Sequence, residues 1–285
     1  MILLKSHAIE DGEERAREGE VGRSRRRFLN NKRLIYLRDL LFTLVVRDIR
    51  LRYKRSWVGI GWTLLNPLAQ LLVFYFIFNA VLPLNVPRYS SFLFTGILVW
   101  NWFQSALLLA TGAIVDHREL IKQPGFPAAI LPIATVTSNL IHFVLALPIL
   151  FLFLMIDGSR LTMFVGALPL VISIQFILTL GIAYLVATFH VTFRDTQYLL
   201  GVLLQLIFFL TPIFYHDSVI PERYQTFYRL NPMVHLTDAY RTLLMRGELP
   251  NNMLALCFLG IIAIALLLLG YGIFKRASAD FVDEL

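Results

Sequence analysis

Apolar residues recur along this chain in six long runs, at about 60–84, 91–115, 128–156, 161–189, 197–215 and 253–274. Each is near or above the ~20 apolar residues that an α-helix needs to cross a bilayer. The pattern predicts an all-α integral membrane protein with six transmembrane helices. Ahead of the first run, residues 32–58 follow another rhythm. Asp39, Thr43, Arg47, Arg50 and Lys54 recur at three- and four-residue steps, with Leu34, Leu37, Leu41, Val45 and Ile49 on the opposite face. That is the signature of an amphipathic helix lying in the membrane interface. Carrying its charges to a bilayer centre at ~2.5–3.5 kcal/mol each excludes it as a seventh span. Residues 1–31 are charge-rich and lack apolar periodicity, which predicts a disordered cytosolic tail. No short apolar core stands before a small-residue cleavage site, so no cleavable signal peptide is expected.

Composition agrees with the pattern. The 285 residues are 57% hydrophobic, with a mean hydropathy of +0.67, well above the usual soluble domain. The formal charge of +7 changes the picture only through its placement. Arg88, Arg160, Arg223, Arg229, Arg241 and Arg246 fall on one side of a six-span arrangement, and the other 20 of the 26 lysines and arginines on the side of the N-terminus. The bias predicts both ends in the cytoplasm. It reads as attraction to anionic lipid rather than to nucleic acid. The single cysteine, Cys257, lies in the last run and offers neither a disulfide nor a zinc spacing.

The polar groups inside the runs are Asn66, Gln70, Asn79, Asn101, Gln104, Asn139, His142, Gln175 and Gln205. None is a carboxylate, lysine or arginine. Ion-coupled carriers need ionisable groups near the midplane, and only His142 titrates, so the driving energy is expected from elsewhere. The amides serve either as bonds between helices or as contacts to a substrate. Aromatic rings are dense beside them. Phe74, Tyr75, Phe78, Asn101, Trp102 and Gln104 are the candidates for lining a path, since rings stack on sugar faces while amides serve hydroxyls. The alternative for the rings is to face lipid.

Three connections carry the remaining signals. Asp116, His117, Arg118, Glu119, Leu120, Ile121 and Lys122 predict a short charged helix, stopped by Pro124, Gly125 and Pro127 with Phe126 at the tip. Arg194 and Asp195 read as a lock between the fourth and fifth spans. Between the fifth and sixth, Asn231 as cap and Pro232 at the first helical position start a helix expected to run through Met245 and end at Gly247. His235 and Asp238 share a face of that helix, but no third ligand stands beside them, and no metal site is expected. No G-x-x-x-x-G-K-[ST] occurs in the chain, so ATP phosphates would have to be held by another chain.

In order, RDIRLRYKRSWVGIGWTLLNP, LIKQPGFPAAILP, FRD, TPIFY and NPMVHLTDAYR resemble the membrane subunit of the type-2 ABC exporters for polysaccharides and polyol phosphates. The resemblance covers roughly residues 40–275. It implies a non-catalytic, homodimeric permease in the bacterial inner (plasma) membrane, and a lipid-linked glycan of the O-antigen, capsule or teichoic acid type as cargo. It also implies one ATPase partner subunit per permease, which would bind ATP and Mg. Residues 59–275 would form the permease domain and 276–285 a cytosolic tail. By the same likeness, Arg47, Arg50, Arg52, Lys54 and Arg55 belong to the interfacial helix. The coupling loop at 116–127 would dock on the ATPase with Asp116, His117, Arg118, Glu119, Leu120, Ile121, Lys122 and Phe126. The outer gate at 216–250 would use Tyr215, Asn231, Pro232, Met233, Tyr240 and Arg241. Three alternatives remain open: export of another lipid or a drug, a secondary transporter, and a membrane glycan enzyme drawing on His216, Asp217, Glu222, His235 and Asp238.

Overall fold

The computed structural model describes residues 32–52, 54, 61–81, 86–159, 162–250 and 252–285. The expected tail at 1–31, the turn at 56–60, Arg55, the end of the first run at 82–85 and Arg160 lie outside them. Among the described residues every regular element is helical. The chain divides into two compact units, residues 1–44 and 45–285.

Helix α1 covers residues 32–52. In the first unit Leu34, Ile35, Tyr36 and Phe42 of this helix are exposed, and Thr43 Oγ1 donates to the Asp39 carbonyl at 2.8 Å.

The second unit holds α2 (Trp62–Tyr75), α3 (Tyr89–Asp116), α4 (Arg118–Ile121), α5 (Ile130–Ile156), α6 (Leu168–Thr192), α7 (Thr196–Phe209), α8 (Glu222–Tyr228), α9 (Pro232–Arg241), α10 (Met253–Ala277) and α11 (Phe281–Glu284). Four described helical stretches are long and apolar enough to cross a membrane: Tyr89–Asp116, Ile130–Ile156, Met163–Thr192 and Met253–Ala277. The first and fifth predicted runs fall on the shorter apolar helices Leu64–Phe78 and Thr196–Phe209. Fourteen residues of α7 span only about 21 Å at 1.5 Å per residue, against ~30 Å of hydrocarbon. The helix ends at Phe209 rather than near 215 because Pro212 has no N–H to donate and disfavours a helical residue before it.

Burial separates the centre from the rim. The most apolar window of α3 is 72% buried, that of α10 only 22%. A helix apolar all round and enclosed belongs to a core, whereas one apolar all round and bare belongs against lipid. Helix α3 packs on α2, α5, α6, α7 and α9, while α10 packs chiefly on α6. That last contact is backbone to backbone. A Cβ on Gly270 would run into the Gly181 carbonyl, and one on Gly181 would come within 2.7 Å of the Leu267 nitrogen. Small residues at a crossing let two membrane helices approach closely and gain dispersion contacts, which replace the hydrophobic drive that lipid removes.

Buried polar groups fix the register. Gln175 Nε2 donates to the Val99 carbonyl at 3.0 Å, tying α6 to α3. At the start of α3, the Asp157 carboxylate that follows α5 accepts from the Ser91 backbone N–H at 3.2 Å and from the Ser91 hydroxyl. A carboxylate there answers the unpaired amides and the positive end of the helix dipole.

Two expected boundaries differ in detail. Asp116 is the last residue of α3 instead of the first of a new helix. A separate turn begins at His117, whose carbonyl accepts from the amides of both Leu120 and Ile121. The helix expected through Met245 is α9 followed by a wider turn at Thr242–Arg246, and Gly247 ends it in the left-handed region at φ 66°.

Candidate functional site

Helices α2, α3 and α5 enclose a cleft of about 480 Å³ with Arg52 at one edge. Its polar wall is a set of amides. Asn101 Nδ2 donates to Gln70 Oε1 at 2.9 Å, and Trp100 Nε1 donates to Gln104 Oε1 at 2.8 Å. Asn139 Nδ2 donates to the Thr135 carbonyl at 2.8 Å, leaving its oxygen toward Arg52 Nη1 at 3.5 Å. Asn66, Ser105 and His142 complete the polar lining. Arg52 is held at the edge by Asp48, 3.9 Å away one helical turn earlier. The apolar wall includes Trp62 and the stacked pair Trp102 and Phe143, with ring centroids 5.0 Å apart. The Trp102 indole N–H is a buried donor without a partner among the described residues.

A second groove of about 490 Å³ shares Gln70, Asn101 and Gln104 with the first and continues past Phe74, Gln205, Phe208 and Phe209. The amides thus stand between two spaces. Beyond them the rings close into a cluster. Phe74 lies 6.0 Å from Phe208 and 5.9 Å from Phe214, and Phe78 lies 5.1 Å from Phe214. Of the six residues proposed to line a path, Asn101, Trp102 and Gln104 face the first cleft and Phe74 the second groove. Phe78 joins the ring cluster, and Tyr75 lies against Tyr89 at 6.2 Å. The pairing of Arg52 with Asn139 has no signal in the sequence, because it joins positions 87 apart.

Chemically, such walls suit a polyhydroxylated ligand. Amides can donate and accept together, rings present apolar faces, and one guanidinium offers a place for an anionic end.

Several of the other predicted positions fall near the two ends of α3. At its C-terminal end, the His117 ring Nδ1 donates to the Ala113 carbonyl at 2.9 Å. Ile121 is buried, Leu120 is half-buried, and Arg118, Glu119 and Lys122 are exposed. Gly125 takes φ 79°, where only glycine is unstrained, and brings Phe126 to a half-buried position. Arg47, Arg50 and Lys54 are exposed. Asp195 stands at the N-cap of α7 without a side-chain cap.

At the N-terminal end of α3, Arg241 of α9 is 7% exposed and reaches three carbonyls. Its Nε and Nη2 donate to Phe92 O at 3.2 and 3.1 Å, Nη2 to Ile213 O at 2.8 Å, and Nη1 to Pro212 O. Its Cζ lies 3.4 Å from the centroid of the Phe92 ring. Burial lowers the Arg241 pKa to about 9, so the group stays charged at neutral pH. Asn231 accepts from the Met233 N–H at 3.0 Å and donates to Thr211 Oγ1 at 2.9 Å, placing Pro232 at the first turn of α9 as expected. Met233 and Tyr240 are buried, the Tyr240 ring edge-on to Phe143 at 5.9 Å. Tyr215 donates its hydroxyl to the Phe209 carbonyl at 3.0 Å. His235 meets the Arg229 carbonyl at 2.8 Å.

Comparison with known proteins gives the lineage. A family profile described as ABC-2 type transporter matches residues 39–245. The O-antigen export system permease protein RfbA of Myxococcus xanthus is 36% identical over 256 residues, 89% of this chain and 98% of the relative. A permease of the same name from Klebsiella pneumoniae is 32% identical over 88% of this chain and 96% of the relative. The polysialic acid transport protein KpsM of Escherichia coli is 27% identical over 81% and 91%. Both the family match, which covers most of the chain, and the end-to-end likeness to these permeases lead to one conclusion: the chain belongs to the ABC-2 type transporter family.

Proposed function

We propose that this chain is the membrane permease of an ATP-driven exporter that moves a lipid-linked polysaccharide of the O-antigen type across the bacterial inner membrane. The observation that carries the reading is the amide-and-aromatic cleft between α2, α3 and α5, found in a chain alike from end to end to O-antigen export permeases. The stronger identity to these than to the polysialic acid protein favours that cargo class.

In this reading the first and fifth apolar runs also cross the bilayer, giving six spans with both ends cytosolic. The amphipathic residues of α1 lie in the inner interface, and Arg52 meets the anionic carrier end of the cargo. Helix α4 and the turn through Phe126 dock on the ATPase, with one such subunit under each protomer of a homodimer. Sugars then pass along rings and amides, which grip no residue strongly. A path of this kind needs no proton- or ion-coupling group because nucleotide, held by the partner, supplies the energy. Helices α8 and α9 stand at the exit.

The test is affinity purification of the full chain from its native membrane in mild detergent. A Walker-motif ATPase recovered at about one per permease, with vanadate-sensitive hydrolysis, is the expected result. Loss of surface glycan on deletion of the gene should accompany it. Recovery of the chain without an ATPase, under conditions that preserve other ABC complexes, overturns the proposal.

A further inference from the structure

We propose that residues 278–285 form a brace that holds α4 and the turn into α5 in position, so that they act in coupling and are not a passive tail. The inference rests on the reading of α4 and Phe126 as the ATPase dock. The sequence here, SADFVDEL, carries the three carboxylates Asp280, Asp283 and Glu284 within five residues. Such a segment is expected to lie in solvent. Instead Phe281 is only 2% exposed.

The chain turns back sharply after α10. The Ser278 amide donates to the Phe274 carbonyl at 2.8 Å and the Asp280 amide to the Ala277 carbonyl at 3.0 Å. The Asp280 carbonyl then accepts from Asp283 and Glu284, which closes α11. Helix α11 packs on both α4 and α6.

Two lines of contact run from it. In the first, the Phe281 ring stands edge-on to Phe274 at 5.2 Å, and Phe274 edge-on to Tyr184 at 5.1 Å. The Tyr184 hydroxyl donates to the Ala129 carbonyl at 3.0 Å. Ala129 is the residue before α5 and closes the turn that contains Phe126. In the second, Glu284 Oε2 accepts from Thr192 Oγ1 at 2.8 Å, at the last residue of α6. Helix α4 has four residues, too short to hold a position by its own hydrogen bonds. A load applied there is resisted only if neighbours stiffen it, and α11 with the Tyr184 bond supplies that support from the far side. Phe281, Tyr184 and Thr192 are therefore positioning residues.

The experiment uses the full chain co-expressed with its ATPase, comparing Phe281→Ala, Phe281→Leu and Thr192→Val with the parent. Amide hydrogen exchange at residues 117–131 of the permease alone reads the brace without reference to docking. Phe281→Ala should speed exchange there by about tenfold while the interior of α3 is unchanged, and Phe281→Leu should largely restore protection. In the complex, glycan exported per ATP hydrolysed should fall at least about fivefold, the lower end of coupling between linked sites, with ATPase recovery retained. Thr192→Val, which removes one hydroxyl, should shift both readouts in the same direction by less. Unchanged exchange at 117–131 in Phe281→Ala and Thr192→Val overturns the brace. Raised exchange with unchanged export per ATP means that the contact exists but does not couple, and this overturns the proposal while leaving the dock standing. Loss of the dock itself is read separately, from ATPase recovery with Phe126→Asp.

Discussion

Replacing Arg241 with Met should loosen the packing of α9 on α3 and on the break after α7. Two of its acceptors, Pro212 O and Ile213 O, lie in the break after α7, outside any helix. No helix amide can take Arg241's place there. The third, Phe92 O, lies inside α3 and keeps its own helical partner. A buried acceptor left unpaired costs about 1–3 kcal/mol, so the two orphaned carbonyls cost roughly 2–6 kcal/mol. Loss of the guanidinium from the Phe92 face adds to this. Against it stands the release of a buried charge, which burial already disfavours enough to lower its pKa to about 9. A net loss of about 2–4 kcal/mol follows, or a fall in Tm of about 4–16 °C for a chain of this size.

The assay is thermal unfolding of the purified permease in one detergent, followed by intrinsic tryptophan fluorescence. Arg241→Lys is the informative companion. An ammonium keeps the charge but cannot span three carbonyls set in different directions, so it should recover less than half of the loss. Gly96→Ala attacks the same network from the other side, because its Cβ would sit 2.8 Å from Arg241 Nη2 and 3.0 Å from Ile213 O. The double variant should lose less than the two single losses together, since both break one network. A fall of under about 2 °C for Arg241→Met, or strict additivity with Gly96→Ala, would refute the latch.

Other changes follow from the same geometry. Gly270→Val drives a branched side chain into the Gly181 carbonyl, and overpacking of this kind costs about 1–3 kcal/mol; a lower yield of folded monomer in size-exclusion chromatography is expected, with Gly272→Val, which meets nothing within 4 Å, as the tolerated control. Asn101→Leu removes the donor to Gln70 and should cost no more than about 2 kcal/mol in stability, yet lower export in reconstituted vesicles severalfold if the amide row serves the cargo; export at the parent rate counts against a path there. Phe126→Asp should reduce ATPase recovery on the permease without affecting insertion, and equal recovery places the dock elsewhere.

The long apolar runs were legible in the sequence because membrane helices advertise themselves by composition alone. The cap at Asn231 and the stop at Gly247 were legible too, since both depend on a single residue type in a single backbone state. What the sequence hides is pairing. Arg241 reads as one more basic residue near a membrane end, and nothing local says that its partners are carbonyls 28, 29 and 149 positions away. Phe281 is hidden for the same reason: it stands among carboxylates at Asp280, Asp283 and Glu284, and its ring packs on Phe274 of the preceding helix. The shortness of α7 was readable in principle from Pro212, but apolar residues continue past it and pull the expected boundary outward.

The two ends of α3 bear on each other through this helix. At one end Arg241, Asp157 and Tyr89 fasten α9, the end of α5 and the segment after α7 to its first turn, through bonds to Phe92, Ser91 and the Phe214 carbonyl. At the other, α3 gives way at His117 to α4. Between them lie Asn101 and Gln104, which face both the cleft and the groove. A largely buried helix of 28 residues does not compress, so a displacement at α4 would reach the Arg241 latch as a shift or tilt of the whole helix rather than as a local distortion. Of the three carbonyls that Arg241 joins, Phe92 O belongs to α3, while Pro212 O and Ile213 O lie in the break after α7, so a shift of α3 would move one acceptor away from the other two. The same bonds that fasten this end of α3 therefore make it sensitive to movement of the helix, and Asn101 and Gln104, being on α3, would move with it.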